Sequence, residues 1–217
     1  MTRTLLATDQ LALPLDWTGH REGAGEDFLV GSSNQTAVRH LEHHATWPVR
    51  ASVLTGPRGS GRTTLAHLFA RSTGAEVIDP VAGVTDDAIF HAWNRAQELR
   101  RPLLLVSDTL PASWPVALPD LRSRLMAVPV ATIGEPDDDL ALSLIERLFA
   151  KRATPIAPEL PAFLVARIER SYDAIHRVVR LLDEAALAER KRVGTRMARA
   201  TLAAAAVEGF AERDGDM

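Results

Sequence analysis

Short apolar runs alternate with stretches of helical periodicity through the middle of the chain, and the pattern turns almost wholly helical after residue 134. Ala51-Ser52-Val53-Leu54-Thr55 is an apolar run stopped by Gly56, and it predicts a strand. Residues 63–72 place Leu65, Leu68 and Phe69 on one side of a helix. Glu76–Asp79 predicts a second strand, ended by Pro80. Thr85 takes the N-cap position of a helix reaching Leu99, with Ile89, Phe90 and Trp93 on its apolar face. Leu103–Val106 and Val128–Ile133 predict two more strands. Pro129 has no amide to donate to a neighbour, which puts the last strand at a sheet edge. Strands alternating with helices predict a parallel sheet with right-handed crossovers. Asp137–Ala150, Pro158–Arg170, Tyr172–Lys191 and Thr195–Glu208 predict four further helices. Asp137-Asp138-Asp139 suits a helix N-terminus and Pro158 a first turn.

The pattern divides the chain into an apolar tail at 1–17, an α/β core at 18–134 that opens with a Gly-rich linker, and a helical lid at 135–217. The chain has 217 residues, 46% hydrophobic and 24% charged, which suits a soluble globular protein with a sizeable core. A net charge of −3 argues against general coating of DNA. The absence of cysteine excludes disulfides, zinc thiolates and thiol catalysis. No apolar run reaches the roughly 20 residues that span a bilayer. Asp9 and Gln10 interrupt the N-terminal apolar stretch, which has no small-residue cleavage site, so a cytoplasmic protein is expected.

The sharpest chemical signal is Gly56-Pro57-Arg58-Gly59-Ser60-Gly61-Arg62-Thr63-Thr64, placed between a strand and a helix. Glycines there let backbone amides turn around phosphate oxygens, and the helix N-terminus adds partial positive charge. The spacing is that of a phosphate-binding loop with one departure: Arg62 stands where a lysine is usual. Lysine is a compact ammonium that reaches the outer phosphates, whereas arginine is longer and planar. Nucleotide binding is compatible with that change, and the geometry for hydrolysis is weakened by it.

Around this loop the sequence resembles DnaA-type AAA+ proteins. Asp27-Phe28-Leu29-Val30-Gly31-Ser32-Ser33-Asn34, with Ala37, is similar to the adenine-side segment of that family. Leu104–Pro111 resembles its sensor I strand and exit loop, with Asp108 in the loop. Leu118–Leu125 resembles the arginine-finger segment, with the finger at Arg124. Gln10-Leu11-Ala12-Leu13-Pro14-Leu15 resembles the peptide that plugs into the bacterial sliding clamp. A clamp peptide ahead of a DnaA-type core resembles the regulatory inactivators of DnaA within that family. The resemblance implies an AAA+ P-loop domain followed by a small helical lid. It implies adenine-nucleotide contacts, ADP included, from Phe28, Gly31, Asn34, Asp108 and the loop residues Gly56, Pro57 and Gly59–Thr64. It also implies the clamp and DnaA as partners, with the chain stimulating DnaA's hydrolysis through Arg124 and hydrolysing little itself. A homodimer fits the side-by-side packing of such domains. An autonomous ATPase or helicase loader is the alternative.

The tail also reads without the resemblance. Leu11, Leu13 and Leu15 lie on one side of an extended peptide, for a partner's pocket or for an edge of the chain's own sheet. Three departures from the family pattern bear on catalysis. The acidic pair that ends a metal-holding strand is missing, which makes Mg²⁺ doubtful. The family has two strands between the loop helix and the sensor strand, and this chain has one, so residues 76–79 are expected beside the sensor strand with the outermost strand lost. Asp79 then stands near the metal-binding position, or simply caps a turn. The sensor II arginine position falls on Asp173, with Arg177 and Arg180 nearby on what reads as a solvated face. Arg124 has an alternative of its own, an ion pair with Asp120. The basic residues Arg190, Lys191, Arg192, Arg196 and Arg199 suit helix ends and solvated faces, so direct DNA contact is weakly indicated.

Overall fold

The structure, a computed structural model, describes residues 28–207, with side chains through residue 204. β1 (Ala51–Thr55) and β3 (Leu103–Ser107) are buried at every position. Such unbroken burial belongs to strands covered on both faces. They pair in parallel, from Ala51 opposite Leu103 to Thr55 opposite Ser107. β2 (Glu76–Ile78) adds in parallel to β3, and β4 (Val130–Thr132) to β1. The order is β2-β3-β1-β4. Residues 76–78 therefore occupy the slot beside the sensor strand, and no strand lies outside them among the described residues. Pro129 immediately precedes edge strand β4, where only its carbonyl is needed: it accepts the Val53 amide at 3.0 Å.

Alternating side chains of the central strands feed two cores. Leu54, Leu104 and Val106 join α1 (Gln35–Glu42) and α2 (Arg62–Thr73) through Leu41, Leu65 and Phe69. Val53, Leu103 and Leu105 join α3 (Asp86–Glu98) and α4 (Pro119–Ala127) through Ile89, Trp93, Leu121 and Leu125. Thr85 caps α3 as expected, its hydroxyl accepting the Ala88 amide at 3.3 Å. Asp86 has a different use. Its Oδ2 accepts the amides of Ala117 and Leu118 at 2.7 and 3.0 Å, which ties the start of α3 to the approach to α4.

The lid is built from α5 (Asp138–Lys151), α6 (Leu160–Val165), α7 (Tyr172–Glu189) and α8 (Thr195–Val207). Ile145, Phe149, Leu160, Leu164, Val179, Leu182 and Leu202 form its separate core. The helix expected over 158–170 is cut to six residues. Ile168, 2% exposed, returns to the lid core, and Ser171 already caps α7 by accepting the Ala174 amide at 3.2 Å, so the chain must turn between them.

Leu105, fully buried in a central strand, is a direct measure of this packing. Leu105→Ala is expected to lower unfolding stability by about 2–5 kcal/mol in urea titrations. An unchanged midpoint would contradict the assignment of β3 to the centre of the sheet.

Candidate nucleotide site

The loop after β1 needs glycine for steric reasons at two places. A Cβ on Gly56 would lie 2.8 Å from the Ile133 carbonyl oxygen, and Gly61, at φ +84°, would bring one to 2.9 Å from the Phe28 ring. Phe28, 8% exposed, rests against the loop because Gly61 leaves room for it. Beyond Gly61 the helix begins at Arg62. Among the described residues the amides of Gly59, Gly61, Arg62 and Thr63 have no acceptor. Together with the start of α2 they form an anion cradle. Ser60 is 5% exposed, and its Oγ is buried with no hydrogen-bond partner.

The lid closes the other side of this cradle. A cavity of about 180 Å³ lies between Phe28, Ser60 and Thr64 of the core and Leu144, Tyr172 and His176 of the lid. The His176 Nε2–H donates to the Gly59 carbonyl at 3.2 Å. The Tyr172 hydroxyl stands 3.5 Å from Ser33 Oγ, and burial pushes its titration up. A Cβ on Gly31 would lie 3.1 Å from that of Leu140, so glycine there lets α5 approach. Asn34 borders the cavity but spends its amide locally. Its Oδ1 accepts the Gly31 amide at 2.9 Å and its Nδ2 donates to the Leu29 carbonyl at 2.8 Å, which fixes this part of the wall.

Two residues assigned separately to the nucleotide meet each other. The Arg62 guanidinium forms an ion pair with the Asp108 carboxylate. The arginine is the inner partner, its side chain 12% exposed against 62% for the aspartate. Arg62 Nη1 is buried without an acceptor. Pro57 follows Gly56 and accepts the Ser60 amide through its carbonyl at 3.3 Å, which shapes the turn. Thr63, in the position whose hydroxyl would face a metal, is exposed. Asp79 directly follows β2, and its Oδ2 is buried and unpartnered. No group of three His, Cys, Asp or Glu, with or without Asp79, is placed to hold a metal ion among the described residues.

Arg124 lies on α4, away from this cradle. Its Nη2 is 2.7 Å from Asp120 Oδ2, as the ion-pair alternative has it. It also donates to Asn94 Oδ1 at 2.9 Å and stacks 4.8 Å above the Phe90 ring, two α3 contacts that the sequence did not suggest. On α7, Asp173 pairs with Arg177 at 3.0 Å on an exposed face. The lid residue that meets the loop is His176, four positions from the buried Tyr172. The signal was a polar ring on the apolar side of an amphipathic helix. Gln10, Leu11, Leu13 and Leu15 lie outside the described residues. Among the described residues no helix is long and apolar enough to cross a membrane.

The lid is further fixed by Asp137, which caps α5. It accepts the Leu140 amide at 2.7 Å and the Ser32 hydroxyl of the core. The hydrogen bond from Ser32, then that from Leu140, holds its carboxyl below the ordinary range. A carboxyl depressed in the folded state stabilises fully above its unfolded value of about 4 and loses that contribution as pH falls through the folded value. Asp137→Asn is therefore expected to lower the melting temperature at neutral pH and to narrow its difference from the parent below pH 4, read by thermal unfolding across pH. Equal melting temperatures at neutral pH would contradict the cap.

No protein-family model matches the chain. An uncharacterized protein of Haemophilus influenzae is 31% identical over 101 residues, covering 46% of this chain and 44% of that protein. The chromosomal replication initiator protein DnaA of Cutibacterium acnes is 21% identical over 156 residues, covering 68% of this chain and 31% of DnaA. The chain thus spans less than half the length of either relative. Among solved structures, domain III of DnaA from Thermotoga maritima matches with a TM-score of 0.66 at 16% identity, over 81% of this chain and 93% of that domain. AMPPCP-bound DnaA from Aquifex aeolicus matches with a TM-score of 0.55 at 18% identity, over 72% of this chain and 63% of that one. With its parallel sheet, flanking helices and helical C-terminal part, the chain has the AAA+ P-loop fold seen in DnaA domain III.

Proposed function

We propose that the chain is a regulatory adaptor of the Hda kind. It docks on the DNA-loaded sliding clamp of DNA polymerase III and stimulates ATP hydrolysis by DnaA, so preventing re-initiation. The observation that carries this reading is the Arg62–Asp108 ion pair. A planar cation that must first leave a carboxylate can settle against a bound phosphate but is poorly placed to follow the charge that gathers on a transferring one. The chain's own centre is therefore built to hold a nucleotide rather than to split it, and catalysis belongs to the partner. An adenine nucleotide suits the cavity beside Phe28 and Tyr172, and the matched DnaA of Aquifex aeolicus is bound to AMPPCP.

In this reading Arg124 is the group lent to DnaA. Its side chain is 30% exposed, and its carboxylate partner Asp120 is 62% exposed. An exposed pair of that kind is worth at most about 1 kcal/mol, so the guanidinium can leave it for a neighbour's triphosphate. Arginine fingers in phosphoryl transfer are worth about 10³–10⁵ in rate. Phe90 and Asn94 hold the side chain ready on α3 until it is used. The tail supplies attachment. Gln10 orients it, and Leu11, Leu13 and Leu15 each contribute about 1.5–3 kcal/mol if fully buried in the clamp's pocket. The complex works in the cytoplasm, where clamp and initiator meet on DNA.

The test follows conversion of radiolabelled ATP to ADP by DnaA in the presence of DNA-loaded clamp. The chain is expected to accelerate it, and Arg124→Ala to reduce that acceleration by about 10²-fold or more while clamp binding persists. Undiminished acceleration by the variant would contradict the assignment.

A further inference from the structure

A nucleoside diphosphate brings several negative charges into its site. P-loop proteins commonly divide the compensation among cradle amides, a lysine and a magnesium ion held by a hydroxyl and acidic side chains. The present site keeps the amides and is poorly made for the metal. Magnesium demands near-octahedral oxygen ligands. The candidate hydroxyl, Thr63, faces solvent. The Asp108 carboxylate is taken by Arg62. Asp79 belongs to no group of three candidate ligands among the described residues. A divalent cation does not fit this donor set.

The same residues fit a phosphate directly. The planar fork of the Arg62 guanidinium matches phosphate oxygens. It is nearly buried, and its Nη1 has no acceptor. Ser60 Oγ, in the loop itself, is buried and also lacks one. Unpaired buried donors of this kind call for an acceptor. Asp108 is the solvated end of the ion pair and can return to water when a competing anion arrives.

We propose that this site takes its adenine nucleotide without a divalent cation, Arg62 exchanging Asp108 for phosphate oxygens and supplying the charge that a metal supplies in other P-loop sites. The inference rests on the nucleotide part of the proposed function. It makes Asp108 an internal competitor: the carboxylate guards the arginine until a phosphate displaces it. Nucleotide binding then also releases the loop after β3, which leads toward α4 and Arg124.

Isothermal titration of the full chain with ADP, once in excess magnesium and once in EDTA, tests this without any substitution. The expected dissociation constants agree within about twofold, and Asp108→Asn, with its fold checked by circular dichroism, binds ADP several-fold more tightly. A loss of affinity of about tenfold or more in EDTA would overturn the proposal, and so would weaker binding by folded Asp108→Asn. Absence of ADP binding under both conditions would overturn the nucleotide reading itself. Stimulation of DnaA through Arg124 is measured separately, so its failure is distinguishable from this one.

Discussion

One ion pair organises the site. In the sheet order β2-β3-β1-β4, the loop after β1 and the loop after β3 emerge side by side, because Thr55 and Ser107 are register partners. Arg62 and Asp108 are the charged residues those two loops bring face to face. A lysine at the first position would be a flexible point charge reaching forward to phosphates. Arginine is long enough to turn sideways and find the carboxylate. The arginine thus links the loop after β1 to the loop after β3.

The rest of the structure holds that arrangement in place. Two apolar cores clamp the sheet from both sides, and a third builds the lid. The lid is tied to the core by Leu140 and Tyr172, which are buried in one of the sheet's cores, and by polar contacts at the site itself: His176 to the Gly59 carbonyl, and Asp137 to Ser32. Gly31, Gly59 and Gly61 matter because other elements pass close to their α-carbons.

Most of the architecture was legible in the sequence. The four strands follow from short apolar runs with clear stops, and the absence of a strand outside β2 among the described residues follows from a missing apolar run. Pro129 located an edge because a residue without an amide has few other places in a sheet. Periodicity failed over 158–170, where the apolar positions serve a turn back into the lid core as well as a helix face. The phosphate loop was legible through its glycines. Its ion pair was not, since Arg62 and Asp108 are far apart in sequence and only strand register joins them. Asn34 lines the cavity, and its hydrogen bonds to Gly31 and Leu29 were not legible, since they depend on the backbone turn at Gly31. His176 was not legible because it sits inside a helix among charged residues of a solvated face, Arg177 and Arg180 among them, while the face turned to the cleft is the one carrying Tyr172.

The central claim is that a phosphate loop whose arginine rests on a carboxylate, and leaves it only to hold a phosphate, retains binding and forfeits cleavage. Phosphate release from ATP by the isolated chain in magnesium buffer tests this most directly. The account predicts no release above the buffer rate even when the site is saturated with nucleotide. Sustained turnover by the chain alone would contradict it.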